Sequence, residues 1–133
     1  MSQAGSNPRS RRAWVALGAN LGRPVVQLQR ATRWIASIPG VEVEAISTLR
    51  QTDPVGPPQP HYVNAVCRLR TVLPPRALLT ALATLEAAAG RVRGLQWGPR
   101  VLDLDLLLYE GVVMRDARLT LPHPELAHRR FVL

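Results

Sequence analysis

Apolar residues recur along this chain with two different periods, and the period changes wherever glycine or proline intervenes. Ala13 to Leu17 (AWVAL) is a short continuous apolar run that ends at Gly18-Ala19-Asn20-Leu21-Gly22, a turn-rich segment leading to Pro24. The run reads as a buried strand, and the proline marks the start of a helix. From Pro24 to Ile38, residues Val25, Leu28, Ala31, Ile35 and Ile38 fall at helical spacing, and Pro39-Gly40 closes the element. Val41 to Thr48 (VEVEAIST) alternates apolar with polar positions, and Tyr62 to Val72 alternates again with β-branched residues. Both read as half-buried strands, paired antiparallel. Between them TDPVGPPQP holds four of the 12 prolines, which bars it from sheet interior and makes it a stiff exposed loop. Pro74 to Ala89 (PPRALLTALATLEAAA) opens on two prolines and is followed by Gly90, the two signals that bound a helix. Val101 to Tyr109 (VLDLDLLLY) is apolar enough to predict a central strand. The order β-α-β-β-α-β predicts an α+β ferredoxin-like sandwich, an antiparallel sheet with its helices on one face.

Composition narrows this picture. A length of 133 residues and an apolar content of 47% suit one domain, here residues 13–133, after a polar, disordered tail over 1–12. No apolar run approaches the length of a membrane helix, so a cytoplasmic protein is expected. The single cysteine, Cys67, sits in the alternating stretch NAVCRLRTV and reads as a buried thiol. All 17 basic residues are arginine. Lysine is essential to a P-loop, to the third strand of a protein kinase and to a pyridoxal Schiff base, so those three classes are excluded. Without Arg9, Arg11 and Arg12 the rest of the chain still carries +5 of the net +8, which favours anions such as nucleotides or nucleic acid.

The chemistry concentrates in Gly90 to Asp105, GRVRGLQWGPRVLDLD. Asp103 and Asp105 are two apart on a strand, so both carboxylates point to one face with Cα atoms roughly 7 Å apart. Two unpaired anions at that distance repel by about 2 kcal/mol at an effective dielectric of roughly 20, so a cation or guanidinium belongs between them. Magnesium held by carboxylates and substrate phosphates fits; solvated acids on a surface strand are the alternative. Arg91, Arg93 and Arg100 precede the acids, and guanidinium forks match phosphate oxygens. Acids for metal and arginines for phosphate suffice for phosphoryl transfer, against the alternative of a structural salt-bridge network. Trp97, between two glycines, reads as a loop ring that closes over a ligand. Tyr62 and Asn64 share a strand face, offering a ring to stack and an amide to read a donor and acceptor pair, or else a core tyrosine with a capped amide. His123, in LPHPEL, is held by prolines within reach of phosphate, with no zinc spacing around it.

With those residues assembled, nearly the whole chain resembles the hydroxymethyldihydropterin pyrophosphokinases of folate biosynthesis. The most specific pieces are GRVR…WGPRVLDLDLLLY and LPHPELAHRRFVL, supported by TDPVGPPQPHYVNAV. The resemblance implies a ferredoxin-like fold and transfer of pyrophosphate from ATP to 6-hydroxymethyl-7,8-dihydropterin, with AMP released, by a monomer that binds neither nucleic acid nor membrane. It implies that Asp103 and Asp105 hold two magnesium ions. Arg91, Arg93, Arg100, His123 and Arg129 contact the triphosphate, Arg91 and Arg100 being catalytic with the two aspartates, and Glu86 is an ATP-binding residue on the nucleotide-side helix. Tyr62 and Phe131 stack on the pterin, Asn64 and Thr52 bond its edge, and Trp97 closes a loop. Four departures accompany the likeness. The family's C-terminal extension is expected to be lacking after Leu133, the loop between Arg93 and Trp97 is short and lacks a lysine, Arg50 replaces an aromatic, and GPPQP lacks an acid. One alternative is a truncated, weakly active pterin- or nucleotide-binding protein, and the competing class is a basic nucleic-acid-binding module. It requires aromatics on adjacent central strands, whereas the chain has three tryptophans, two tyrosines and one phenylalanine without an RNP-type run.

Overall fold

The computed structural model describes residues 9–19, 23–52, 62–89 and 102–124, with Thr52 and Tyr62 described in the backbone alone. Their element order is β1 (Arg11–Ala19), α1 (Pro24–Ala36), β2 (Val41–Ile46), β3 (Arg50–Thr52), β4 (Tyr62–Thr71), α2 (Pro75–Ala88), β5 (Asp103–Tyr109), β6 (Met114–Arg115) and β7 (Thr120–Leu121). The main sheet runs β2-β4-β1-β5, with β3 also paired to β4, and each of its pairings is antiparallel. Counting β2 and β3 as one interrupted strand, this is the expected ferredoxin-like βαββαβ order. A separate hairpin joins β6 to β7.

Both helices cover one face. Alternate residues of β1, namely Ala13, Val15, Leu17 and Ala19, join Leu28 and Ile35 of α1 and Leu78 and Leu82 of α2 in the main core. The intervening Ala16 belongs to a second, smaller cluster with Val66, Leu107 and Trp14 on the opposite face. That separation follows from the two-residue period of a strand, and it leaves a second face, open among the described residues, carrying the even-numbered residues of β1 and β4. Pro24 and Pro75 stand at the first helical positions, where a missing N–H costs nothing. Gly40, at φ +85°, turns α1 into β2, and a side chain there would also meet Val72 Cγ2 at 2.9 Å. Among the described residues no helix is long and apolar enough to cross a membrane.

Three expectations are corrected. The first strand starts at Arg11, so Arg11 and Arg12, expected in a disordered tail, are paired with Thr71 and Arg70. Gly18 and Ala19 continue that strand rather than forming a turn, because both find partners in β4. Most consequentially, among the described residues β5 is the outermost strand rather than a central one. Its apolar character on both faces has a local cause. Leu104 and Leu106 alternate into the main core, Leu107 follows Asp103 and Asp105 onto the open face and joins its cluster, and the register shift between Trp14 and Val15 returns Tyr109 to the main core.

Candidate functional site

Register brings together residues far apart in the chain. Across the open face, Arg50 of β3 is opposite Asn64 of β4, Asn64 is opposite Gly18 of β1, and Gly18 is opposite Asp103 of β5. One step along, Val66 faces Ala16 and Ala16 faces Asp105. Strands lie about 4.8 Å apart, so the Asn64 and Asp103 backbones are on the order of 10 Å from one another. Between them, among the described residues, the sheet carries Gly18 and Ala16, both buried. The result is a strip with an amide and a guanidinium at one side and two carboxylates at the other.

Asp103 and Asp105 are half-buried and share this face, as their spacing predicts. Two hard oxygen donors flanked by small register partners suit a magnesium ion that keeps some of its coordination for substrate oxygens. Among the described residues no three His, Cys, Asp or Glu side chains converge into a metal-holding group, so further ligation would have to come from outside that set. His123 is placed by the β6–β7 hairpin. Its backbone N–H donates to the Leu107 carbonyl at 2.8 Å, which brings it to the outer side of β5 two residues beyond Asp105. The hairpin is itself tied down through Asp116, which accepts the Arg118 and Leu119 amides at 2.9 Å and pairs with Arg76 of α2. These two amide bonds, with the Arg76 charge, hold the Asp116 carboxyl below its ordinary range despite the opposing effect of desolvation.

Glu86 is buried on α2, and its Oε2 accepts the Leu104 amide at 2.8 Å. Its signal in the sequence was its place at i+8 from Leu78 and i+4 from Leu82, which puts an acid on the helix's buried stripe. Thr52 pairs with Tyr62 next to the Arg50–Asn64 row, while both side chains lie outside the described residues. Arg91, Arg93, Trp97, Arg100, Arg129 and Phe131 also lie outside them.

Beyond Trp14 the open face becomes strongly basic. Glu44 accepts from Arg12 Nε at 3.0 Å and Arg68 Nε at 3.2 Å through one oxygen, and from Arg70 Nε at 3.0 Å through the other. Burial alone would raise its pKa, yet the bonds and charges of Arg70 and Arg12 together leave it lowered. Sequence reasoning missed this cluster, although Arg68 and Arg70 are two apart on a strand and therefore share a face. Cys67, as expected, is fully buried, and burial pushes its thiol up to about 12.

Residues 14–133 match the family described as 7,8-dihydro-6-hydroxymethylpterin-pyrophosphokinase (HPPK). The chain is similar to the 2-amino-4-hydroxy-6-hydroxymethyldihydropteridine pyrophosphokinase of Synechocystis sp., 45% identical over 121 residues that make up 91% of this chain and 62% of the relative. The proteins of the same name from Haemophilus influenzae and Pseudomonas aeruginosa are 43% and 46% identical over 91% and 92% of this chain, and in each case over 76% of the relative. The chain thus spans a little under two thirds of the first of these relatives and about three quarters of the others.

Proposed function

Because the chain belongs to the 7,8-dihydro-6-hydroxymethylpterin-pyrophosphokinase family, we propose that it transfers the pyrophosphoryl group of ATP to the hydroxymethyl oxygen of 6-hydroxymethyl-7,8-dihydropterin. The observation that carries this reading is the cross-strand row Arg50, Asn64, Gly18, Asp103, with Asp105 beside it. One end offers an amide able both to donate and to accept, as the edge of a pterin requires. The other offers oxygen ligands for the cation that accompanies a triphosphate.

In this reading the pterin lies over Gly18 and Ala16 with its edge on Asn64 and Thr52, and with Tyr62 and Phe131 against its faces. Asp103 and Asp105 would hold two magnesium ions, whose chemistry would be charge neutralisation at the phosphate oxygens. Arg91, Arg93, Arg100, Arg129 and His123 bind the triphosphate and orient it, and Trp97 closes over the substrates to exclude water. The hydroxymethyl oxygen attacks the β-phosphorus in line. Its new O–P bond forms as the bond from the β-phosphorus to the bridging oxygen of the α-phosphate breaks. AMP leaves with that oxygen, and the hydroxyl proton passes to solvent. Gly18 contributes by having no side chain, since a larger residue would stand between the two ends of the row.

Incubating the protein with ATP, magnesium and 6-hydroxymethyl-7,8-dihydropterin should release AMP in step with pterin consumption. Absence of AMP at saturating substrates would overturn the assignment.

A further inference from the structure

An outermost strand exposes a row of N–H and C=O groups that need partners other than a neighbouring strand. Strand β5 is outermost and carries both aspartates. Among the described residues, bonds from outside the sheet hold it. The Leu107 carbonyl accepts the His123 amide at 2.8 Å, and the Leu104 amide donates to Glu86 Oε2 at 2.8 Å. Leu104 is the residue between Asp103 and Asp105. Since successive side chains of a strand alternate, the rotation of the backbone at Leu104 sets the direction of both neighbours.

Glu86 is placed for this. It belongs to the buried stripe of α2 with Leu78 and Leu82, where a leucine would pack with less desolvation. A buried carboxylate is retained at a cost that its hydrogen bonds must offset, and the one to Leu104 is charge-assisted. Its bond to the strand is made with the backbone N–H of Leu104, the residue between the two aspartates.

We propose that Glu86 is a positioning residue for the aspartate pair: by holding the Leu104 amide it fixes the outer edge of β5, keeps Asp103 and Asp105 aimed at the open face, and so sets their affinity for a divalent cation. This rests on reading the two aspartates as magnesium ligands. What position 86 needs is a hydrogen-bond acceptor at the reach of a three-carbon acid side chain, not the charge.

The test compares Glu86→Gln, Glu86→Ala and Glu86→Asp with the unaltered protein. Mn²⁺ affinity is measured by the EPR signal of the free ion, with a non-hydrolysable ATP analogue present, and exchange of the Leu104 amide is followed by NMR. Glu86→Gln, whose amide oxygen still accepts, should stay within about threefold in Mn²⁺ affinity. Glu86→Ala and the shortened Glu86→Asp should bind Mn²⁺ roughly 10- to 100-fold more weakly, the range for outer-shell partners of metal ligands. Their Leu104 amides should exchange at least about tenfold faster. Metal-free affinity for the analogue should not change. If Glu86→Ala does not fold, Glu86→Asp decides. Wild-type Mn²⁺ affinity in a folded Glu86→Ala, or a loss in Glu86→Gln as large as in Glu86→Ala, would overturn the proposal; the latter would make the charge a direct contact. Failure of the magnesium reading looks different: Mn²⁺ binding insensitive to Asp105→Ala. That result would also end the positioning role, even with Leu104 exchange altered as expected.

Discussion

Replacing Glu44 with glutamine removes one charge from a site where three guanidiniums converge. In the native protein Arg12, Arg68 and Arg70 each donate Nε to that carboxylate, at 3.0, 3.2 and 3.0 Å. Hydrogen bonds to charged groups contribute about 1.5–3 kcal/mol when shielded from water, and exposed ion pairs about 0–1. The three arginine side chains keep 45%, 29% and 22% of their surface exposed, so each bond belongs toward the lower range, about 0.5–1 kcal/mol. Glutamine retains one acceptor oxygen but turns an NH₂ toward the remaining guanidiniums, which now repel one another without a counter-charge. The sum is a loss of roughly 2–3 kcal/mol, or a melting temperature lower by about 8–12 °C for a domain of this size. Circular dichroism melts at low salt and at 0.5 M NaCl check it. Salt weakens both the native attraction and the variant's repulsion, so the gap between the two proteins should narrow. Acid gives a second check with a fixed sign. The Glu44 pKa is lowered in the folded state from its ordinary 4.5, so its contribution is complete above that value and is lost as pH falls through the lower folded one. The gap should close over that interval. A low-salt difference below about 0.5 kcal/mol, or a gap that widens in acid, would refute the reasoning.

Other outcomes follow from the same geometry. Asp105→Ala should reduce AMP formation by roughly 10³-fold or more while shifting the melting temperature by only a few degrees, because the side chain lies on the open face and not in the main core. Asn64→Ala should weaken pterin binding about tenfold or more by calorimetry and leave ATP binding within about threefold. With its thiol pushed up to about 12, Cys67 should resist iodoacetamide at pH 8 in the folded protein and react promptly once guanidinium unfolds it. Leu82→Ala, which empties a fully buried position between α2 and the sheet, should cost about 2–5 kcal/mol in denaturant melts.

What the chain's own pattern determined is the set of elements and the face each residue takes. Periods of two and 3.6 are properties of local backbone geometry, so Leu28, Ala31 and Ile35 declare a helix stripe, and Asp103 and Asp105 declare a shared strand face, without knowledge of any neighbour. The helix bounds agree to within two residues for the same reason: Pro24 and Pro75 act locally, as does Gly40. Tertiary structure alone decided the adjacencies. That Asn64 and Asp103 flank Gly18, that Glu44 gathers Arg12, Arg68 and Arg70, and that Glu86 meets Leu104 depend on strand order and register. Those are set by the joint burial of one sheet face under two helices, a sum over the whole core that no window of sequence contains. The strand VLDLDLLLY shows the limit most plainly. Its apolar composition predicts a central position, yet among the described strands it is outermost: Leu104 and Leu106 bury in the main core, Leu107 joins the second cluster, and Glu86 and His123 bond its outer edge. Hydrophobicity records how much surface a segment buries; which element does the burying is settled only when the chain is folded.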